Sequence, residues 1–349
     1  MRGNARLRTR HGIKLERRTS IPKPPAGIRA THRIVQPFEK PASMSHSVVI
    51  FHKQLGDLVL LEPALRRLAH GNSHTIDLIT RSGFQPIGSL IPFVKFRTRP
   101  SAKCYEALWC FDDRRKSAFY SLLTRAREKH LLINPGASIQ WYHSRIFPTI
   151  LKPDHGRLYI SEYYWKHILD GDHGSFQAPE LAPPPKEWAY PVSSSKYLHV
   201  NPTSGWRSKN WTPERWATTI NRLAEHGIGP VVMTSGMQDW QRKHCAAICR
   251  QLTQPAECIA GETTLENYIW VIWNAKAVLT VDGSASHIAA AFRRKCLTLF
   301  GHTNAICLHR ETAYSQALVT GDVVGRQSSR LHLLPHEPVI EATIKLWHG

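Results

Sequence analysis

The sequence predicts an α/β protein built from two parallel-sheet domains in series, and three observations predict it. Short β-branched runs alternate with amphipathic helical segments, the spacing that a parallel sheet covered on both faces requires. A Pro- and Ser-rich break at residues 183–195 (PPPKEWAYPVSSS) separates two regions of similar rhythm. The 349 residues suffice for two cores at about 100–200 residues per domain. The expected division is a basic disordered tail at 1–43, an N-terminal domain at 44–182, the linker at 183–195 and a C-terminal domain at 196–349.

In order, the tail carries eleven Lys/Arg against two Glu and five prolines, with no sustained apolar period, so it reads as disordered. Its functional reading is a tether to acidic phospholipid headgroups. Its plain reading is a solvated extension or a mis-called start, with Met44 as an alternative start. Val48 to Phe51 is a β-branched strand, His52 to Gly56 a loop, and DLVLLEPALRRLAHG an amphipathic helix ending at a Gly cap. Pro63 inside that helix predicts a kink. Thr75 to Thr80, Ala107 to Cys110 and His130 to Ile133 read as further strands. Beyond the linker come a strand Tyr197 to Val200, a helix Thr212 to Gly227 and a strand Pro230 to Thr234. Helices at Trp240 to Gln251 and Leu265 to Ala275 follow, then a strand Ala277 to Val281, a helix Ser286 to Arg293 and a strand Cys296 to Phe300.

Composition narrows the function classes. Apolar residues at 42% and charged residues at 21% exclude wholesale disorder. The formal charge of +20 favours anionic partners: phosphates, nucleic acid or an acidic membrane surface. No run approaches the roughly 18 apolar residues needed to span a bilayer. The seven cysteines are scattered and contain no C-x-x-C pair, which fits a reducing cytoplasm. The sequence lacks G-x-x-x-x-G-K-[ST] and G-x-S-x-G, which argues against a P-loop nucleotidase and an α/β-hydrolase. Asp170-Gly171-Asp172 matches a D-x-D metal motif but sits in a Gly-rich stretch with no strand before it, and reads as a turn.

Three loops carry residue types suited to chemistry. Lys53-Gln54-Leu55-Gly56-Asp57 ends the first strand: Asp57 reads either as the helix N-cap or as a carboxylate facing a cleft. The loop from Thr203 to Glu214 holds Thr212 as N-cap and Pro213 as first helical residue. Capping leaves Arg207 and Lys209 unexplained, and with Ser208 beside them they suit a phosphate or form a solvated basic loop. In Asp282-Gly283-Ser284-Ala285-Ser286-His287, small residues open a helix whose free N–H groups can cradle an anion. The plain reading has Ser286 capping the helix, Asp282 settling the turn and His287 half-buried and satisfied. Trp141 and Trp206 are candidates for stacking on a sugar face.

Taken in this order the loops resemble glycosyltransferase family nine, the heptosyltransferases. LGDLVLLEPALRRL is similar to L-G-D-x-x-x-x-x-P-A-L-R, KNWTPERWA to K-x-W-x-x-x-x-W-A, and the run Leu265 to Asn304 to a motif ending D-[ST]-G-x-x-H-x-A-A-A and L-F-G-x-T. The resemblance runs from about Ser47 to the C-terminus and is faint between Arg97 and Lys196. It implies a GT-B fold, two Rossmann-like domains with parallel sheets facing a central cleft. The donor, a nucleotide-sugar such as ADP-heptose, would sit on the C-terminal domain and the acceptor on the N-terminal one.

The resemblance further implies inversion at the anomeric carbon, no D-x-D metal and no cofactor. Asp57 falls on the catalytic base, Lys209 on the phosphate-binding lysine, and Asp282, Gly283, Ser284, Ala285 and His287 on the donor loop. Gly236 and Gln238 fall near the nucleoside, and Lys53 and Gly56 on the acceptor side. This chain departs from the pattern in reading Asp282-Gly283-Ser284 where the family reads Asp-[Ser/Thr]-Gly, and in placing Gln238 where an acidic residue is common.

The implied partners are a phosphorylated lipid-linked saccharide of the lipopolysaccharide core and the acidic inner face of the cytoplasmic membrane, with no specific nucleic acid. Removing Lys209 is expected to hurt turnover more than folding. The alternatives are a degenerate protein that binds a sugar-nucleotide without turnover, and a basic nucleic-acid binder.

Overall fold

The computed structural model describes residues 47–72, 75–153, 156–168, 174–301, 303–320 and 331–349. The tail at 1–43 and the Asp170-Gly171-Asp172 turn lie outside the described residues.

The N-terminal lobe runs β1 (Ser47–Ile50), α1 (Leu55–Asn72), β2 (Ile76–Ile79), α2 (Gln85–Ser89), β3 (Val94–Arg97), β4 (Cys104–Cys110), α3 (Arg115–Leu123), β5 (Arg125–Leu132), α4 (His143–Ile146), β6 (Thr149–Leu151) and α5 (Ile160–His167). The C-terminal lobe runs β7 (Leu198–Asn201), α6 (Pro213–Glu225), β8 (Val231–Met233), α7 (Asp239–Cys249), β9 (Glu257–Cys258), α8 (Leu265–Asn274), β10 (Ala277–Val281), α9 (Ser284–Ala291), β11 (Lys295–Phe300), α10 (Ala305–Leu308), β12 (Ser315–Val319) and α11 (His336–His348).

Among the described residues each lobe forms one six-stranded, wholly parallel sheet: β3-β2-β1-β4-β5-β6 in the first, β9-β8-β7-β10-β11-β12 in the second. The two orders are the same doubly wound order, so the two-domain α/β expectation and the Rossmann-like character of each half hold. The central strands are almost wholly apolar (Val48–Ile50, and Val278–Val281 apart from the buried Thr280) because helices cover both faces. The edge strands β3 and β12 are only half-buried and mixed in composition, as are the first five residues of β5, Arg125 to Lys129. Without a clean apolar period these segments escaped the sequence reading.

Two helix boundaries differ from the expectation, and the linker segment makes contacts that its composition does not announce. Helix α1 begins at Leu55, two residues earlier than expected, and runs to Asn72 with the buried Pro63 inside it. Helix α9 begins two residues earlier than expected, with Gly283 at its N-cap. The segment 183–195 is docked rather than loose. It forms a 3₁₀ turn at Lys186–Trp188, Trp188, Tyr190 and Val192 pack on the apolar core, and Ser193 binds the Glu257 carboxylate through N–H (2.8 Å) and O–H (2.7 Å).

That core is continuous between the lobes. Leu58, Leu61 and Leu65 of α1 share one cluster with Ala285, Ile288 and Ala289 of α9, and α1 packs directly on α9. Beneath the C-terminal lobe's crevice lies His199, wholly buried in β7, with Nε2 2.8 Å from Thr234 Oγ1 and Nδ1 without a hydrogen-bond partner.

Burial lowers the His199 pKa to about 3. The folded value lies below the unfolded one of about 6.5, so the unfolded chain takes up the proton first. The stability this confers is complete above about pH 6.5 and declines as pH falls towards 3. Between pH 7 and pH 5 wild type should therefore lose about 2 kcal/mol through this residue. In His199→Gln that share of the pH slope should vanish, measured by urea unfolding at the two pH values.

Candidate functional site

In a doubly wound sheet the helices on either side of the switch point diverge and leave a crevice at the carboxyl ends of the strands. Here the switch points fall between β1 and β4 and between β7 and β10. The loops that leave these four strands are 51–54, 111–114, 202–212 and 282–283. Three of them carry the residues singled out above.

The first loop brings Gly56 and Asp57 to the junction with the other lobe. A Cβ added to Gly56 would lie 2.6 Å from His287 Cδ2 and 3.4 Å from the Ser284 Cα. A side chain is excluded there because α1 starts against the first turn of α9. Asp57, half-buried, is the third residue of α1 rather than its N-cap; its Oδ2 reaches back to accept the Gln54 N–H at 3.4 Å. Lys53 is buried behind it.

Gly56→Ala must displace a buried imidazole or part the two helices. An overpacked contact of this kind costs about 1–3 kcal/mol, readable as a loss of unfolding free energy in urea. A variant as stable as wild type would show that the two helix starts separate freely.

The second and third loops meet at Asp282. Lys209 Nζ lies 2.5 Å from Asp282 Oδ2, and the Thr303 hydroxyl donates to the same oxygen. His287 Nε2 stands 4.0 Å from Oδ1. Burial drives the Asp282 carboxyl up, but Lys209, His287 and the two hydrogen bonds together outweigh it and hold the group below the usual carboxylate range. His287 is lowered, first by burial; the charges of Asp282 and Asp57 pull the other way without prevailing. The imidazole is therefore neutral at pH 7.

This arrangement corrects two expectations. Lys209 is not a solvated or uncommitted cation, since it is ion-paired and its ammonium lies 5.1 Å from the centre of the Trp206 ring. Asp282 does not settle its own turn; it anchors another loop. Removing Lys209 would strand a buried carboxylate, so a cost to folding is expected alongside the loss of turnover.

The start of α9 is likewise different in detail. Gly283 is in extended backbone at the N-cap, and Ser286 donates its hydroxyl to the Gly283 carbonyl at 2.7 Å instead of capping. Ser284 is half-buried, its Oγ 3.4 Å from the Tyr268 hydroxyl, which in turn receives an N–H from Asn201 at 2.9 Å. Ala285 is buried in the interlobe core. The positive dipole end of α9 thus lies against the start of α1 and next to Asp282, the residue that Lys209 engages.

Thr212 and Pro213 begin α6 as expected, the Thr212 hydroxyl accepting the Arg215 N–H at 3.4 Å. Ser208, in the 3₁₀ turn Arg207–Lys209, is exposed, as are Gly236 and Gln238 beyond β8. Gln238 already has a structural task, a reciprocal capping box with Gln241, and Gln241 ties that loop to the Ser204 carbonyl at 2.9 Å. Trp141 is 70% exposed on the N-terminal lobe. Among the described residues no group of three or more His, Cys, Asp or Glu is placed to hold a metal ion.

Sequence reasoning missed Thr303 as a partner of Asp282, although the L-F-G-x-T pattern contains it. It also missed Asp112 at the end of β4. The Asp112 carboxylate accepts the His52 N–H (2.5 Å), the Ser117 hydroxyl (2.8 Å) and the Arg114 N–H (2.9 Å). With Ser117 donating to Asp112, the contact of 2.8 Å to His52 Nδ1 makes that nitrogen the donor. Nε2 is left without a partner. Burial, then the charges of Lys116, Arg81 and Arg114, lower the His52 pKa to about 4. The carboxylate holds the hydroxyl and not the ring, so the trio locks two crevice loops together and is not a serine-nucleophile relay.

The family model for glycosyltransferase family 9 (heptosyltransferase) matches residues 171–320. Lipopolysaccharide heptosyltransferase 3 of Escherichia coli (strain K12) is 28% identical over 159 residues, which is 43% of this chain and 46% of that protein. The chain thus spans under half the length of this curated relative. A glycosyl transferase family 9 structure from Veillonella parvula DSM 2008 superposes with TM-score 0.73 at 15% identity, covering 88% of this chain and 99% of that one. The E. coli ADP-heptose lps heptosyltransferase II structure superposes with TM-score 0.72 at 18% identity, covering 87% and 98%. The fold is therefore the GT-B arrangement of two Rossmann-like halves, and the chain is heptosyltransferase-like.

Proposed function

We propose, starting from a heptosyltransferase-like chain with a glycosyltransferase family 9 match in its C-terminal lobe, that the protein transfers a sugar from a nucleotide-sugar to a saccharide acceptor. The donor is ADP-heptose and the acceptor a phosphorylated, lipid-linked saccharide of the lipopolysaccharide core. One observation carries the reading: the charge of Asp57 from the first lobe and those of Lys209 and Asp282 from the second converge on His287, in the first turn of α9.

In the transfer the acceptor hydroxyl oxygen attacks the anomeric carbon from the face opposite the diphosphate, and the configuration inverts. Its proton passes to Asp57, a general-base role worth about 10² to 10⁴ in rate. The bond from the anomeric carbon to the diphosphate breaks, and its electron pair leaves with the nucleoside diphosphate. The growing charge falls to the α9 N–H groups, the Ser284 hydroxyl and the Lys209 hydrogens that Asp282 does not engage. One preorganised donor of this kind is worth roughly 3 kcal/mol. Asp282, held by Thr303, fixes the ammonium in place. No metal or cofactor is assigned a step.

Ser208, Gly236 and Gln238 flank the donor's nucleoside end, and Lys53 and Gly56 the acceptor's. The excess positive charge steers the anionic acceptor in, which places the protein at the inner face of the cytoplasmic membrane. Titration calorimetry against ADP-heptose, UDP-sugars and GDP-sugars tests the donor half. Binding of ADP-heptose alone is expected, and binding of none of them would remove it.

A further inference from the structure

Helix α3 is built inside out. Its inner face is small and polar, with Ser117, Ala118 and Ser121 buried. Its outer face leaves Phe119 at 55%, Leu122 at 60% and Leu123 at 54% exposed. A helix made only to cover the sheet would turn these the other way, because clustered exposed apolar side chains lose the transfer free energy that burial provides.

The next exposed apolar residues in the chain, Ile139 and Trp141, lie beside it. Ser138 N–H is held by the Asp113 carboxylate at 3.1 Å just before α3, and α4 packs on α3. The surroundings are cationic. Arg114, Arg115, Lys116 and Arg125 are exposed around the helix, and the Arg145 guanidinium lies 4.8 Å from the centre of the Trp141 ring. The nearby carboxylates are occupied: Asp112 is buried, Asp113 holds Ser138, Glu106 pairs with Arg127 and Glu128 with His130.

We propose that this face, Phe119, Leu122 and Leu123 inside a collar of Arg114, Arg115, Lys116 and Arg125, docks on an anionic lipid bilayer. Apolar side chains entering the headgroup boundary, with cations at the phosphates, are the composition of an interfacial helix. A second copy of the chain fits less well, since a two-fold contact would set one cationic collar against another. Helix α3 leaves the carboxyl end of β4 and runs back to the amino end of the parallel β5, so its apolar face lies along the flank of the N-terminal lobe, with the 133–142 segment at the crevice edge beyond it. The docking does not rest on the transfer proposed above.

The test is vesicle flotation of the full chain. Phosphatidylcholine vesicles are compared with ones containing about one third phosphatidylglycerol, at low salt and at about 0.5 M salt, where the pull of the basic N-terminal segment is screened. Wild type should float with the anionic vesicles and keep a measurable fraction bound at high salt. Phe119→Ser/Leu122→Ser/Leu123→Ser should lower that high-salt fraction at least tenfold with an unchanged circular dichroism spectrum. Arg115→Glu/Lys116→Glu should lower binding at low salt.

A triple variant that floats like wild type would overturn the proposal. So would a wild type that ignores vesicles but elutes as a dimer that the triple variant dissolves. Transfer to a delipidated acceptor in solution should survive in the triple variant. Wild type that binds vesicles as described yet transfers to no acceptor would sink the transfer reading while supporting the docking surface.

Discussion

Asp57→Asn should lower the rate of sugar transfer by about 10² to 10⁴ while leaving the calorimetric affinity for the nucleotide-sugar within about twofold. The substitution keeps the size of the side chain and keeps an oxygen able to accept the Gln54 N–H, which the carboxylate now takes at 3.4 Å. The start of α1 is therefore undisturbed, and stability should change by less than about 1 kcal/mol. What is lost is the capacity to accept a proton, which matters only once the acceptor oxygen attacks. The loss should accordingly fall on kcat and not on donor binding. An Asn variant with wild-type turnover would end the base assignment, and one that fails to bind donor would recast Asp57 as a structural residue of the interlobe junction.

Lys209→Met should destabilise the fold by about 3–5 kcal/mol at pH 7, because it leaves the carboxylate of Asp282 buried without its ion-pair partner. In wild type that carboxyl is held low, so its contribution to stability is present above about pH 4 and declines as acid protonates it. In the variant, burial acts without the lysine and pushes the carboxyl up. The variant's deficit should then shrink as pH falls from 7 towards 5, opposite in sign to the wild-type dependence. Lys209→Met/Asp282→Asn removes the stranded charge and should recover most of the stability. It should not recover donor affinity or turnover if the ammonium holds the diphosphate. Urea unfolding at several pH values reads the first effect and calorimetry the second. A double variant that regains donor binding would reduce Lys209 to a partner for Asp282 and nothing more.

The buried strands β1, β2, β7, β8, β10 and β11 and the helix start at Thr212 were legible because burial on both faces and capping each leave a local mark. Segments with no such mark were not. Strand β5 opens on Arg125-Ala126-Arg127-Glu128 and still pairs with β4 through its backbone, which composition does not record. Helix α3 shows no inward apolar stripe, because the residues it buries are Ser117, Ala118 and Ser121. The candidate loops were found by residue type at strand ends. Their division of labour was not, and Thr303 and Asp112 acquire roles only from partners that folding supplies.

By itself the sequence determined the alternation of strands and helices, the three loops above the strand ends and the family they resemble, since each of these is written in residues a few positions apart. The tertiary structure alone decided that Lys209 belongs to Asp282, 73 residues away, that Gly56 is small because His287 and the Ser284 backbone lie against it, and that the linker is docked. These are contacts between distant segments, set by strand order and by how closely two helix starts can approach. No local period encodes them.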